Sequence, residues 1–233
     1  MTSGDALGGF FALGTRAAES VDPSWRPVTD LLAGDVLDRR IDEVAAQLGA
    51  PRRIAASLLE LSLASRPAGI LLAAAAEHRV LPHLPADVLQ WRPWSGGPVP
   101  LWVDVERVAG TALGAPDDPD TAAAVADELA EVHVAPLVDA VRACASVSAR
   151  VLWGNAASAF AGAVRVLAIE RPAVRDDALA LARGVLACPP FEGLGSFLPA
   201  PSHPTGVGFA RRTCCLFYRV PDAGTCEDCV LAE

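Results

Sequence analysis

The sequence predicts a mainly α fold of the α+β kind, in which a helical body carries one small β element and ends in a cysteine-rich segment. Three observations predict it. From Val36 onward, apolar residues recur with the period of an α-helix through most of the chain. Residues 88–108 instead show short Val- and Trp-rich runs separated by Gly and Pro. Four of the six cysteines fall within the last twenty residues.

Residues 1 to about 34 are punctuated by Gly and Pro, with Trp25 close to Pro27, and read as a segment draped over the core. Val36, Leu37, Ile41, Val44, Ala45 and Leu48 then share one helical face, and Gly49-Ala50-Pro51 ends that helix. Pro51 opens a second helix with an apolar stripe of Ile54, Leu58, Leu59, Leu61 and Leu63, and Pro67 is expected to restart a third, Ala-rich helix to Val80. Val88 to Trp91 and Val99 to Val105 read as two strands joined by a Gly-Pro loop. Thr121 is the expected N-cap of a long helix, with Asp117, Asp118 and Asp120 at its positive end and a break at Pro136 before about Ser146. Two more helices cover Ala149 to Glu170 and Arg175 to Cys188, the latter stopped by Pro189-Pro190. The expected organisation is a helical body over residues 1–188, a Pro/Gly-rich loop connector over 189–210, and a cysteine segment over 211–233.

The chain is 52% hydrophobic and 20% charged, which supports a sizeable buried core. All 19 of its basic side chains are arginine, and the net charge is −9. That balance argues against nucleic-acid binding, which needs a basic face to displace counterions, and against adhesion to anionic lipid. No basic region precedes the first apolar residues, and no apolar run suited to a helix is long enough to span a bilayer, so the expected setting is the cytoplasm. Reduced thiols are the rule there, so six cysteines read poorly as a disulfide framework.

The cysteine segment reads Cys214-Cys215-x10-Cys226-x2-Cys229. Thiolates ligate soft and borderline metals and iron–sulfur clusters. A C-x2-C turn aims two sulfurs at one metal, and Pro221 and Gly224 between the pairs allow the second to fold back onto the first. By spacing, a [2Fe–2S] cluster leads. A structural zinc site is the next reading, but zinc ribbons use two C-x2-C knuckles, and adjacent cysteines bite one tetrahedral ion poorly. Disulfide chemistry remains a third. Cys144 and Cys188 read as inert residues on apolar helix faces.

This tail, with Arg211-Arg212 before the first pair and Tyr218-Arg219 within, resembles the C-terminal signature of the FhuF-type ferric siderophore reductases. Trp153-Gly154-Asn155 resembles a second signature of that family. The resemblance implies a [2Fe–2S] cluster on Cys214, Cys215, Cys226 and Cys229, with no catalytic residue separate from it. It implies a cytoplasmic oxidoreductase that passes one electron to siderophore-bound Fe(III) and frees Fe(II). The chemistry is coherent: anionic oxygens, as in hydroxamates, hold the hard Fe(III) ion far better than Fe(II). All-thiolate two-iron clusters of the plant ferredoxin type lie at about −400 mV, low enough to serve. Asp222, Glu227 and Asp228 beside the ligands would lower the potential further.

No dinucleotide fingerprint or P-loop is present. The electron is therefore expected from a separate donor, such as a ferredoxin or an NAD(P)H-dependent flavoprotein. Candidate siderophore contacts are Trp153, Asn155, His133, Arg165, Arg211 and Arg212; each reads equally as a core residue or as a screen for the cluster's charge. Two other functions stay open: an electron carrier or redox sensor, and a zinc-clamped siderophore-binding protein without redox activity. The tail is expected to fold back and set its metal at the mouth of a cleft.

Overall fold

In a computed structural model, residues 9–16, 19 and 22–231 of the chain are described. Helices build the body. α1 (Val28–Leu32) leads into α2 (Asp35–Leu48), which buries Leu37 and Ile41 completely and ends at Gly49, where φ of +58° favours a residue without a Cβ.

α3 (Arg52–His78) follows directly and does not restart at Pro67. The ring costs roughly 3 kcal/mol in a helix interior. Here the helix runs through the middle of the core, burying Leu63, Ala64, Ala68, Leu71 and Leu72 around that point. Fully burying one leucine contributes about 1.5–3 kcal/mol, so packing outweighs the proline. The neighbouring Arg66, itself 2% exposed, fastens the same turn: its Nε donates to the Val99 carbonyl at 2.9 Å, and its terminal nitrogens donate to the carbonyls of Gly9 and Ala12.

The expected β element is present as β3 (Gln90–Trp91) antiparallel to β4 (Leu101–Trp102), extended on the β3 side by β1 (Arg26–Pro27). A second antiparallel pair joins β2 (Val80–His83) to β5 (Ala109–Ala112).

Asp118, not Thr121, caps α4 (Pro119–Asp127); its carboxylate accepts from the Asp120 N–H at 3.0 Å. Pro119 at the first helical position needs no N–H partner, and that sets the start two residues before Thr121, which is buried in the first turn. The helix widens to a π-helical stretch over Glu128–Val134, then continues as α5 (Ala135–Cys144) with Pro136 at its start. The break expected at Pro136 is absorbed by that wide turn.

α6 (Ala149–Glu170) and α7 (Arg175–Ala187) complete the body, and α6 packs most extensively on α3. Both α3 and α6 are long and apolar enough to cross a membrane, contrary to the expectation from the sequence. Their most apolar windows are 67% and 72% buried within the fold, so here they are core helices.

The Pro/Gly-rich connector is not all loop. β6 (Gly195–Pro199) and β7 (Val207–Arg211) form an antiparallel hairpin with Phe197 opposite Phe209, their rings edge-to-face at 5.5 Å. Gly and Pro fall at the strand ends and in the turn, and this pattern concealed the strands. β7 delivers the chain straight into the cysteine segment.

Candidate metal centre

The cysteine segment lies along α6. Thr213, next to Cys214, sits against Gly154, and Arg211 against Asn155. Further along the helix, Asp228 reaches Ser158 and Arg165. From Gly154 to Arg165 the helix rises about 16 Å, so both halves of the segment share one support. A small apolar cluster of Ala50, Ile54 and Val220, with Leu216 and Phe217 packed on it, fastens the intervening turn.

Among the four thiols, Cys215 Sγ and Cys226 Sγ are in contact at 3.4 Å, closing the ten-residue turn. Cys214 Sγ and Cys229 Sγ each accept a backbone N–H from two residues on, Leu216 at 3.4 Å and Leu231 at 3.3 Å. Leu216 has φ of +72°, a left-handed turn. Burial, then the hydrogen bond and charge of Cys215, push the Cys226 thiol up to about 12, while Arg211 opposes the shift. At that distance the two sulfurs lie about as close as two ligands of one metal ion.

The donor set therefore fits a thiolate-bound metal. Tetrahedral metal–sulfur bonds of about 2.3 Å place two sulfurs roughly 3.8 Å apart, close to the observed contact. Among the described residues no three His, Cys, Asp or Glu side chains are set around a single ion.

Residues 211–231 match the FhuF 2Fe-2S C-terminal domain. The match points to a [2Fe–2S] cluster, and Cys214, Cys215, Cys226 and Cys229 fit it. The FhuF-type resemblance of the tail stands on this match. No curated protein matches the chain.

Behind this FhuF-like segment lies a buried polar network that the sequence did not reveal. Asn155, fully buried, donates from Nδ2 to the Ser57 carbonyl at 2.8 Å and to Ser57 Oγ at 3.0 Å, and its Oδ1 accepts from Arg211 Nη2 at 2.6 Å. Ser57 Oγ in turn donates to the Cys215 carbonyl at 2.9 Å. Glu60, one turn along α3, is fully buried beside Asn155 and Arg211. Burial raises its carboxyl to about 8, with Asn155 and Arg211 opposing. A signal for both residues was present in the sequence: Ser57 and Glu60 interrupt the apolar stripe of α3.

The candidate substrate contacts separate clearly. Asn155 and Arg211 are both buried and bonded to each other beside the cysteine segment. Trp153 packs edge-to-face on the buried Phe191 at 5.7 Å. His133 is on the π-helical stretch and borders a small apolar cavity with Leu32 and Leu137, well shielded; burial first, then the charge of His83, lowers its imidazole to about 4. Glu128, 3.8 Å from it, already holds His83 Nδ1 at 2.8 Å and accepts from the Leu84 N–H. Arg212 is exposed, and its backbone N–H donates to the Leu194 carbonyl. Arg165 borders an open cleft, together with Glu227 and His203.

Asp228 also departs from expectation. Its carboxylate is buried, accepting from Ser158 Oγ and Arg165 Nη1 at 2.6 Å each. With its charge matched by Arg165, it anchors the segment on α6. Cys144 and Cys188 lie outside the segment, and burial raises both thiols, which keeps them protonated.

Proposed function

We propose that the protein is a cytoplasmic ferric siderophore reductase, with Cys214, Cys215, Cys226 and Cys229 ligating a [2Fe–2S] cluster. The observation that carries this reading is the four-thiol segment, matched to the FhuF 2Fe-2S domain and docked on a helical body that borders an open cleft. The cluster, when bound, supplies one electron at low potential. The acceptor is siderophore-bound Fe(III), which becomes Fe(II) and is then held weakly by hard oxygen ligands. An external one-electron donor, such as a ferredoxin or an NAD(P)H-dependent flavoprotein, restores the reduced state.

The chain's own residues have three tasks in this scheme. The N–H groups of Leu216 and Leu231 stabilise thiolate charge at Cys214 and Cys229, and such contacts tune potential. Arg211 places a buried positive charge by the thiols, and Asn155 and Ser57 hold it and the Cys215 backbone in position. Arg165 and Ser158 pin the C-x2-C turn through Asp228.

The test is anaerobic. Protein reduced with dithionite and freed of excess reductant is mixed with a ferric trishydroxamate and a ferrous-specific chelator. Reoxidation should saturate with siderophore concentration and release one Fe(II) per reduced cluster. If ferric citrate is reduced as readily and without saturation, the protein is an electron carrier. Replacing any of the four tail cysteines by Ser should remove the visible chromophore, whereas Cys144→Ala and Cys188→Ala should keep it.

A further inference from the structure

A separate pocket of about 190 Å³ opens between α2 and the three-stranded sheet, and no residue of the cysteine segment or of α6 lines it. Two periodicities build its lining. Val36, Arg39, Arg40 and Glu43 recur along α2 at the three- and four-residue spacing of one helical face. Opposite them, Arg26 of β1 and Trp91 of β3 are cross-strand partners, so their side chains leave the sheet on the same side. Pro93 and Trp94, just past β3, complete the wall.

The chemistry of this lining is one-sided. Three guanidiniums stand against the one carboxylate of Glu43, on a chain of net charge −9. Arg26 and Arg39 are exposed, and among the described residues neither has an ion-pair partner. Arg40 lies over the Trp94 ring, 4.6 Å from its centre, and Trp94 stands edge-on to Trp91 at 6.0 Å. Glu43, itself 58% exposed, accepts from Arg40 Nη1 at 2.7 Å. Arg40 Nε and Trp91 Nε1 are buried donors with no acceptor among the described residues, whereas buried donors ordinarily have one. Nothing in the wall offsets the positive ends of those two N–H groups.

From this arrangement we infer that the pocket is a binding site for a compact oxyanion bearing two or more negative charges, of the phosphate or polycarboxylate kind. The planar guanidinium fork matches the paired oxygens of both. Size sets the upper bound. Drug-sized ligands fill about 300–1,000 Å³, so this volume suits a small ion rather than a nucleotide or a metal chelate. Charge sets the lower bound. A monovalent anion neutralises one guanidinium and leaves the other two repelling each other, whereas a di- or trianion meets Arg26, Arg39 and Arg40 together. Glu43 is the internal competitor, an exposed carboxylate free to turn to solvent when an oxyanion takes Arg40. The site stands independently of the reductase reading.

Titration calorimetry on the cluster-loaded full chain, with inorganic phosphate and with tricarballylate at constant ionic strength, tests the assignment. Saturable binding of at least one of them at one site per chain is expected, and the tighter of the two names the source. Arg39→Ser and Arg26→Ser, each at an exposed position with no ion-pair partner to lose, should weaken that binding by about tenfold. Both variants should keep the visible spectrum and, in ligand-free buffer, the melting temperature. Glu43→Gln removes the competitor and should tighten binding. Arg107→Ser, an exposed arginine outside the pocket, is the control and should leave binding unchanged. Absence of saturable binding by either ion overturns the assignment. So does a loss in Arg107→Ser equal to that in Arg39→Ser, which would mark a general attraction to arginine rather than a site.

Discussion

Arg165 on α6 and Asp228 between the last two cysteines meet at 2.6 Å with both side chains less than a tenth exposed. Through this pair the C-x2-C turn is fastened to the helix, and Ser158 completes the contact. Arg165→Met leaves the Asp228 carboxylate buried without its cation, and such losses amount to about 3–5 kcal/mol. Urea unfolding should show a loss of that order, with faster bleaching of the chromophore. Adding Asp228→Asn to Arg165→Met should recover much of the loss. Simple additivity of the two changes would mean the pair is not coupled.

Gly154 is the point at which the segment rests on the helix. A methyl group there would lie 1.9 Å from Thr213 Oγ1 and 3.0 Å from Thr213 Cβ. Gly154→Ala should therefore push Thr213, and Cys214 with it, off α6, at a cost of about 1–3 kcal/mol. Calorimetric melting and retained iron both report this. Thr213→Ala in the same chain should restore part of each, because the closest clash is with the threonine hydroxyl.

Glu60 predicts a pH dependence of stability. Its carboxyl is raised from 4.5 to about 8 in the fold, so between those values the unfolded chain binds fewer protons than the folded one. Stability is fully present below about 4.5 and declines as pH rises towards 8. Glu60→Gln should flatten this slope and be more stable than the parent at pH 8, by an amount on the order of a few kcal/mol. Parallel urea curves at pH 5 and pH 8 provide the comparison, and equal slopes in the two proteins would contradict it.

His133 acts on the acid side with the opposite sign. Its imidazole is lowered from 6.5 to about 4 by burial and by His83, so the unfolded chain binds the extra proton first. Its contribution is present above about 6.5 and is lost as pH falls towards 4. His133→Leu should reduce that acid loss. Because His133 is shielded in the core, the same variant should keep the siderophore dependence of reoxidation.

The sequence carried the fold where local pattern and packing agreed, and misled where they competed. α6 was legible end to end, because its apolar period and its boundaries at Ala149 and Glu170 are local properties. The turn at Pro67 was not, because Arg66 and the surrounding core, both non-local, hold the helix together there. The β6–β7 hairpin was hidden by the Gly and Pro that bracket its strands. At the site, the cysteines announced themselves by spacing, whereas their supports did not. Trp153-Gly154-Asn155 stood out as a pattern, but only the approach of Thr213 and Arg211 shows it to be a dock for the tail. Asp228 read as a charge beside the ligands, and nothing local in the sequence pairs it with Arg165, 63 residues away.

Iron, zinc and acid-labile sulfide content after anaerobic purification tests the four-thiol centre most directly. The account predicts a red-brown protein with two irons and two sulfides per chain, no stoichiometric zinc, and loss of both iron and sulfide in Cys215→Ser. A colourless protein with one zinc per chain would contradict it.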